Sequence, residues 1–313
     1  MMQKLITVFV CAGCIFAGTV PAQDEAEQAS EQPRAVLLEI RGAIGPATSD
    51  YVVRGIEKAE ADGAGLVILE MDTPGGLDSA TRVIVKAILN AGVPVATYVH
   101  PSGSRAASAG TYILLASHIA AMAPATNLGA ATPVQIGGTP APPEEQEPQA
   151  PADEGDDGSS GDEAPAEDEA ETPEPQSPRP DSAMERKVIN DAVAYIRGLA
   201  NRHGRNADWA ERAVREAATL PAEQAVEQNV VDLVARDLAD LLGQIDGRTI
   251  SINGAKRVLD TTDMVIERVE PDWRTRLLSV ITDPTVAYLL MLIGIYGLIF
   301  EGYNPGAIVP GVV

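Results

Sequence analysis

Short apolar runs alternate with amphipathic segments in the first part of the chain. Helical periodicity predicts helices over 47–61, over 77–91 and from about Ala107 onward. Four runs predict buried strands: AVLLEI (35–40), GLVILEM (65–71), VPVATYV (93–99) and HIAAMAP (118–124). This alternation of strand and helix is typical of an α/β fold with a mainly parallel sheet.

A second group of elements begins at residue 183. It contains predicted helices and a short hairpin, at 184–201, 207–217, 237–244 and 247–260. Because neither group alone has enough layers to enclose a core, we interpret them as two parts of one domain, 34–137 and 183–268. Residues 269–283 are predicted to be a linker.

The segment between these parts, residues 138–182, has a different composition. It is rich in Pro, Glu, Asp, Ala and Gly, and it holds fifteen acidic residues and one arginine. Such a segment cannot bury enough apolar surface to fold, so we predict a disordered acidic insert. The insert accounts for a net charge of −14 out of the −22 of the whole chain. An acidic protein of this kind is not expected to bind nucleic acid, which favours a basic surface.

The N-terminus has the layout of a secretory signal peptide over residues 1–22, with an apolar stretch and a small-residue end at Ala22. Residues 23–33 then form a predicted flexible acidic N-terminus. A lipoprotein with Cys14 lipidated is the alternative, and Cys11 three positions earlier argues against it. Both cysteines lie in the predicted signal peptide, so the exported chain would have no disulfide, thiolate nucleophile or Cys-bound metal.

An uncharged stretch of sixteen residues, 285–300, lies near the end of the chain. It is slightly short for a membrane span at about 1.5 Å per residue. A buried core helix is the alternative, but the glycines at 294 and 297 and the tyrosines Tyr288, Tyr296 and Tyr303 favour a membrane segment. We therefore predict a C-terminal transmembrane segment.

Ser108 is a candidate nucleophile. It lies in the sequence AASAG, after a predicted strand and a glycine-containing loop and at the start of a predicted helix. A serine nucleophile needs such an open turn with small neighbours, and the Ala109 N–H at the helix start is free to bind an oxyanion. The alternative is a closely packed helix start without catalytic function.

A second loop, Pro74-Gly75-Gly76, comes directly after the predicted strand 65–71. Paired glycines allow the backbone to expose its N–H groups in conformations that other residues avoid, so this loop is a candidate second oxyanion donor. An ordinary tight turn is the alternative.

The base that would activate Ser108 is less evident. The chain has three histidines, His100, His118 and His203, and none has a convincing acidic partner in the sequence. Of the lysines, Lys187 lies near the start of the first predicted helix after the insert, and its alternative role is that of a solvated lysine with Asp191 as its acidic partner at i+4.

Five segments carry a family resemblance: DTPGGL (72–77), YVHPSGSRAASAGTYILLAS (98–117), NLGAATPV (127–134), INDAVAYIRGLANRHGRN (189–206) and ITDPTVAYLLMLIGIYGLIFEGYNPGAIVPGV (281–312). They resemble the membrane-bound serine proteases of the NfeD family, relatives of Clp protease and of signal peptide peptidase A. The resemblance covers nearly all of the chain from Ala35 onward, apart from the insert.

The resemblance implies a ClpP/crotonase-like fold and a Ser–Lys catalytic dyad. The family's serine matches Ser108, its lysine matches Lys187, and its oxyanion-hole glycine matches Gly76; Ala109 would supply the other N–H group. A lysine in water is almost fully charged at neutral pH, so Lys187 would have to be desolvated by the fold or by a neighbouring subunit. Longer family members continue with further spans, so 284–313 is predicted to be the start of a truncated membrane region.

The resemblance also implies a substrate and a location. The expected substrate is an apolar segment of a stomatin-like membrane protein, cleaved without a metal or cofactor by a homodimer or higher homo-oligomer on the exported side of the membrane. One alternative is a ClpP-like membrane scaffold that binds the stomatin-like partner without cutting it. An acyl-CoA enzyme of the crotonase fold is disfavoured by export and by the lack of an evident basic cluster for CoA.

Overall fold

A parallel sheet forms the centre of the computed structural model, which describes residues 33–134, 183–282 and 284–303. Among these residues six strands make up the sheet, all pairing in parallel. In spatial order they are β11 (Val265–Val269), β1 (Arg34–Arg41), β2 (Leu66–Asp72), β3 (Val95–Val99), β5 (Ile119–Met122) and β8 (Leu233–Val234). The predicted α/β fold with a mainly parallel sheet is confirmed, whereas its ClpP/crotonase class stays a prediction.

Helices cover both faces of this sheet. The helices of the described chain are α1 (Pro46–Ala61), α2 (Asp78–Asn90), α3 (Ala109–Ala116), α4 (Ala183–Arg202), α5 (Ala207–Arg215), α6 (Ala222–Glu227), α7 (Leu238–Ile245), α8 (Trp273–Ile281) and α9 (Pro284–Tyr303), of which α8 and α9 lie outside the core. Alternate side chains of β1 enter two separate apolar clusters, Leu38 and Ile40 in one and Ala35 and Leu37 in the other. Burial of both faces explains why the strands appear in the sequence as nearly continuous apolar runs.

A smaller sheet, which the sequence pattern did not predict, lies beside the main one. It consists of β4 (Arg105–Ala107), β6 (Asn127–Gly129) and β7 (Thr219–Pro221), in the order β4-β6-β7. Strand β4 replaces the predicted helix start near Ala107, and α3 begins two residues later. Since β7 follows the insert, both parts of the chain contribute to this sheet and to the main one.

The predicted hairpin at 247–260 is confirmed as the antiparallel pair β9 (Thr249–Ile252) and β10 (Ala255–Val258). Its turn residues Asn253 and Gly254 have φ angles of 49° and 82°, and Asn and Gly tolerate this left-handed conformation best. The predicted linker 269–283 contains the last residue of β11 and all of α8.

The C-terminal helices α8 and α9 bear on the predicted membrane segment. Among the described helices none could span a membrane by itself. Trp273–Ile281 and Thr285–Phe300 reach the necessary length and hydropathy only as a pair, with a bend of 62° between them. The stretch 285–300 is helical as predicted, and many of its large apolar side chains are exposed. The predicted signal peptide (1–22), nearly all of 23–33, the insert 138–182 and the residues after 303 lie outside the described chain.

Candidate active site

Ser108 occupies a sharp turn between strand β4 and helix α3. Its φ and ψ angles are 50° and −112°, a region that non-glycine residues rarely occupy and that costs about 1–3 kcal/mol. The Ser108 N–H donates to the Gly129 carbonyl at 2.9 Å, while its side chain caps no helical N–H. The hydroxyl is therefore held on a strained strand-to-helix turn, the geometry used for serine nucleophiles.

Glycines allow two backbone segments to pack closely around this turn. A Cβ atom at Gly75 would lie 2.7 Å from the Cβ of Ser108, and one at Gly110 would lie 2.7 Å from the Thr73 methyl group. Real Cβ atoms do not approach so closely, which explains why both positions are glycine. The Pro-Gly-Gly loop and the serine turn are therefore direct neighbours.

Two buried threonines hold the turn in place. The Thr73 carbonyl accepts from the Ala107 N–H at 3.1 Å, and its hydroxyl accepts from the Gly75 N–H at 3.0 Å. The Thr111 hydroxyl lies 2.8 Å from the Ala106 carbonyl and accepts from the Gly129 N–H at 3.1 Å. Thr73 and Thr111 are both 0% exposed, so these bonds are shielded from competing water.

The two candidate oxyanion donors have free N–H groups. Ile44 pairs with the residues on either side of Gly76: its N–H donates to Gly75 O at 2.8 Å, and its carbonyl accepts from Leu77 N–H at 2.9 Å. Within the described chain no acceptor is bonded to the N–H of Gly76 or to that of Ala109, the first residue of α3. A Cβ atom at Gly76 would lie 2.1 Å from the Ile44 carbonyl oxygen, so the loop geometry requires glycine there.

One cavity of about 550 Å³ brings the sequence-predicted residues together. Gly76, Ser108, Ala109 and Lys187 all line it. Lys187 comes from the second turn of α4, and its side chain is exposed. Most of the remaining lining is apolar, namely Leu77, Tyr112, Ala131, Pro133, Val134, Met184, Val188 and Ala192. The cavity therefore joins a polar centre to an apolar wall.

The rim of the cavity carries an ion-pair network around Arg82. Its guanidinium bonds Asp78 at 2.8 Å and Asp191 at 2.6 Å, and it lies 4.5 Å from the centre of the Tyr195 ring. Arg82 is thus the partner that the structure gives to Asp191, the residue suggested by the sequence as a partner of Lys187. The network also ties α2 to α4, and both helices contribute lining residues to the cavity.

The three histidines lie elsewhere in the fold. None of them lines the Ser108 cavity of the described chain. His100 stacks on Tyr98, and His118 accepts from the Val95 N–H at 3.2 Å. His203 contacts the Ala116 carbonyl at 3.1 Å. This arrangement gives no support to a Ser–His pair.

His118 and His203 make the stability of the fold depend on pH. Burial, reinforced by Arg202 and Arg205 beside His118 and by Arg205 beside His203, lowers the pKa of each ring to about 4. Since an unfolded histidine titrates near about 6.5, the unfolded chain binds more protons between these values. The stabilising contribution is therefore complete above about pH 6.5 and is lost as the pH falls towards 4.

The variant His118→Asn tests this pH dependence, because the Asn oxygen replaces the acceptor for Val95 N–H. We expect urea unfolding midpoints between pH 4 and 7 to depend less on pH than in the unmodified chain. An unchanged pH profile would show that His118 is not buried in its neutral form.

Thr73, Thr111 and Arg82 are site residues that the sequence reasoning did not single out. Thr73 lies inside the motif DTPGGL, and Thr111 follows Ser108 by three residues. A buried hydroxyl this close to a strained turn is a signal for a positioning role, but burial is not readable from a single sequence.

The chain has relatives among known proteins. Residues 36–148 match the family model described as NfeD1b, N-terminal domain. The chain is 37% identical over 279 residues to the membrane-bound protease PH1510 of Pyrococcus horikoshii, covering 88% of this chain and 55% of that protein. It is 22% identical over 283 residues to the membrane protein NfeD1b of Bacillus subtilis, covering 90% and 54%. The chain thus spans little more than half the length of these relatives.

Two solved structures of the 1510-N membrane-bound stomatin-specific protease share the fold. A lysine-to-alanine variant in complex with a substrate peptide superposes with a TM-score of 0.62 at 32% identity, covering 81% of this chain and 99% of that one. A serine-to-alanine variant superposes with a TM-score of 0.60 at 32% identity, covering 77% and 99%.

Proposed function

The chain belongs to the NfeD family, and from that premise we propose that it is a membrane-anchored serine endopeptidase with Ser108 as nucleophile and Lys187 as base. The observation that carries the proposal is the cavity in which a strained serine, a lysine and two free backbone N–H groups meet. A turn that is costly to maintain is best explained by the position that it gives to the Ser108 hydroxyl.

The proposed reaction proceeds through an acyl-enzyme. Ser108 Oγ attacks the carbonyl carbon of the scissile peptide bond while its proton passes to the neutral Nζ of Lys187. The N–H groups of Gly76 and Ala109 bind the resulting oxyanion. Lys187 then protonates the leaving amine, and water activated by the same lysine hydrolyses the ester. These residues supply every proton transfer without a metal or cofactor.

Lys187 must be shielded from water to act as a neutral base. Its side chain is exposed in the single chain, so the described residues do not provide the desolvation that the chemistry requires. We propose that the bound peptide and a second copy of the chain supply it, in a homodimer or higher homo-oligomer. Met184, one turn earlier on α4 and 62% exposed, is available to pack against either.

The apolar wall of the cavity indicates the substrate class. Leu77, Tyr112 and Val188 offer apolar contacts close to Ser108, and the solved relatives are described as specific for stomatin. We propose that the substrate is an apolar segment of a stomatin-like membrane protein, cleaved on the exported side of the membrane that holds α9. The alternative is a non-catalytic scaffold that binds the same segment.

The test is cleavage of peptides that span the C-terminal region of a stomatin-like protein by the purified full chain in detergent. Mass spectrometry should detect two products from a peptide with an apolar segment, and none when its apolar residues are replaced by serine. A peptide that binds but stays intact for as long as the protein remains folded would favour the scaffold.

Thr111 provides a prediction about positioning. Thr111→Val removes a buried hydroxyl that bonds the Ala106 and Gly129 carbonyls and the Gly129 N–H, so the free energy of unfolding should fall by about 1–3 kcal/mol. Because Gly129 O also binds Ser108 N–H, the turn should shift and kcat should fall roughly tenfold or more.

Thr97→Val is the matched control for Thr111→Val. The Thr97 hydroxyl is buried against Ser117 Oγ at 2.6 Å in β3, and it does not line the cavity. Its loss should reduce stability and leave cleavage per folded molecule unchanged. Equal kcat values for the two variants would show that Thr111 has no positioning role.

A further inference from the structure

Helix α8 exposes a continuous apolar stripe beside the protease domain. Its members are all exposed to solvent: Trp273 (70%), Leu277 (51%), Val280 (54%) and Ile281 (52%). At 3.6 residues per turn these positions fall within an arc of about 100°. Thr275 and Leu278 occupy the other side, where Thr275 is buried and Leu278 half-buried. The apolar face therefore points away from the domain and is not part of its core.

Two arginines border the stripe. On the same helical projection Arg274 lies at one margin and Arg276 at the other. The Arg274 guanidinium lies 5.6 Å from the centre of the Trp273 ring, and the Arg276 side chain is 67% exposed although it bonds Glu270 at 3.1 Å. An apolar stripe with a tryptophan and cationic margins matches a membrane surface, where arginines reach the headgroup phosphates.

α8 is attached firmly to the domain that carries the active-site cavity. Asp272 caps the helix by accepting from the Thr275 N–H at 2.8 Å. Arg54 of α1 donates to Asp272 at 3.0 Å and to the Thr275 hydroxyl at 2.9 Å. These bonds fix the direction of α8 relative to α1, so a surface that binds α8 also orients the domain.

α9 follows α8 after the 62° bend. Apolar side chains are exposed on all sides of α9, among them Leu289, Leu290, Met291 and Ile299, as expected of a helix that enters lipid. The bend sets α8 closer to perpendicular than to collinear with α9. If α9 enters the bilayer steeply, α8 lies close to the plane of the membrane surface.

We propose that α8 lies in the headgroup region of an anionic membrane, with Trp273, Leu277, Val280 and Ile281 inserted at the top of the acyl chains. In this position α8 holds the domain at a fixed height and angle, so that the Ser108 cavity meets substrate segments at a defined distance from the bilayer. The inference rests on the membrane anchoring of the proposed function and not on its chemistry. It is therefore tested in the Ser108→Ala background as well.

The test uses the two tryptophans of the chain. The full chain is reconstituted into phosphatidylcholine–phosphatidylglycerol vesicles that carry lipids brominated at a shallow or at a deep acyl position. Trp209 is 1% exposed inside the domain and gives a constant background, which the variant Trp273→Phe measures. Trp273 should lose most of its fluorescence with the shallow quencher and little with the deep one.

Each other pattern of quenching would overturn the proposal. Stronger quenching by the deep lipid would show that α8 is part of a broken span. The absence of quenching by either lipid would show that protein, such as a second copy, or water covers the stripe. Because quenching does not depend on catalysis, loss of peptidase activity without loss of shallow quenching would contradict only the proposed function.

The charge requirement is tested with the double variant Arg274→Gln/Arg276→Gln. In the unmodified chain, quenching by the shallow lipid should be stronger in anionic vesicles than in pure phosphatidylcholine vesicles. The double variant should lose this difference. The control Arg248→Gln/Arg257→Gln removes two exposed arginines from the hairpin and should retain it. An equal loss in both double variants would assign the effect to net charge and would contradict a specific role of α8.

Discussion

Ser108→Ala should reduce peptide cleavage by at least roughly 10⁴-fold, because no other group replaces an attacking serine hydroxyl in a dyad. The fold should remain intact. The Ser108 side chain makes no capping hydrogen bond, and alanine faces the same backbone strain, so the free energy of unfolding should change by less than about 0.5 kcal/mol. Initial rates of peptide cleavage and urea unfolding measure the two effects.

Two further variants make this result specific. Ser102→Ala, in the exposed loop between β3 and β4, should retain full activity. Ser108→Gly should be inactive but more stable than Ser108→Ala by about 1 kcal/mol, because glycine accepts the positive φ angle of the turn without strain. Retention of cleavage by Ser108→Ala would remove Ser108 as the nucleophile.

Lys187→Ala should reduce kcat by roughly 10²–10⁴-fold, the usual contribution of a positioned general base. Lys187→Arg should be as inactive, because a guanidinium does not release its proton in proteins. In the unmodified chain kcat should fall as the pH is lowered, since protonation of the lysine removes the base. A pH–rate profile on the three proteins, corrected for folded fraction, is the measurement.

Lys86→Ala is the matched control, because Lys86 is an exposed helical lysine that does not line the cavity. It should leave kcat and its pH dependence unchanged. If replacement of His100, His118 or His203 reduced kcat as strongly as Lys187→Ala without unfolding the chain, a histidine would be the base instead.

Much of the main sheet was predictable because burial on both faces makes parallel strands continuous apolar runs. The strands β4, β6 and β7 were not predictable in this way. Each has only three residues, and they form because the fold brings their backbones together. The turn at Ser108 depends on this sheet, since Ser108 N–H binds the last residue of β6. The sequence indicated a serine at a helix start but not its backbone strain.

The pairing of Ser108 with Lys187 shows a second limit of prediction from the sequence alone. The insert separates these residues in the chain, and spacing alone left Lys187 as an ordinary solvated lysine. Family resemblance selected it, and the shared cavity is a geometric reason to keep it. Helix α8 was predicted as part of a linker, although the helical spacing of its apolar residues is present in the sequence.

The most direct measurement is covalent labelling by a substrate-derived peptide that ends in a diphenyl phosphonate, which reacts with an activated serine. Proteolytic digestion and mass spectrometry then identify the labelled residue in the unmodified chain and in Lys187→Ala. We expect a single label on Ser108 that is formed much more slowly without Lys187 and at the normal rate in Lys86→Ala. A label on another residue, or labelling of Ser108 at the same rate in Lys187→Ala, would contradict the Ser108–Lys187 dyad.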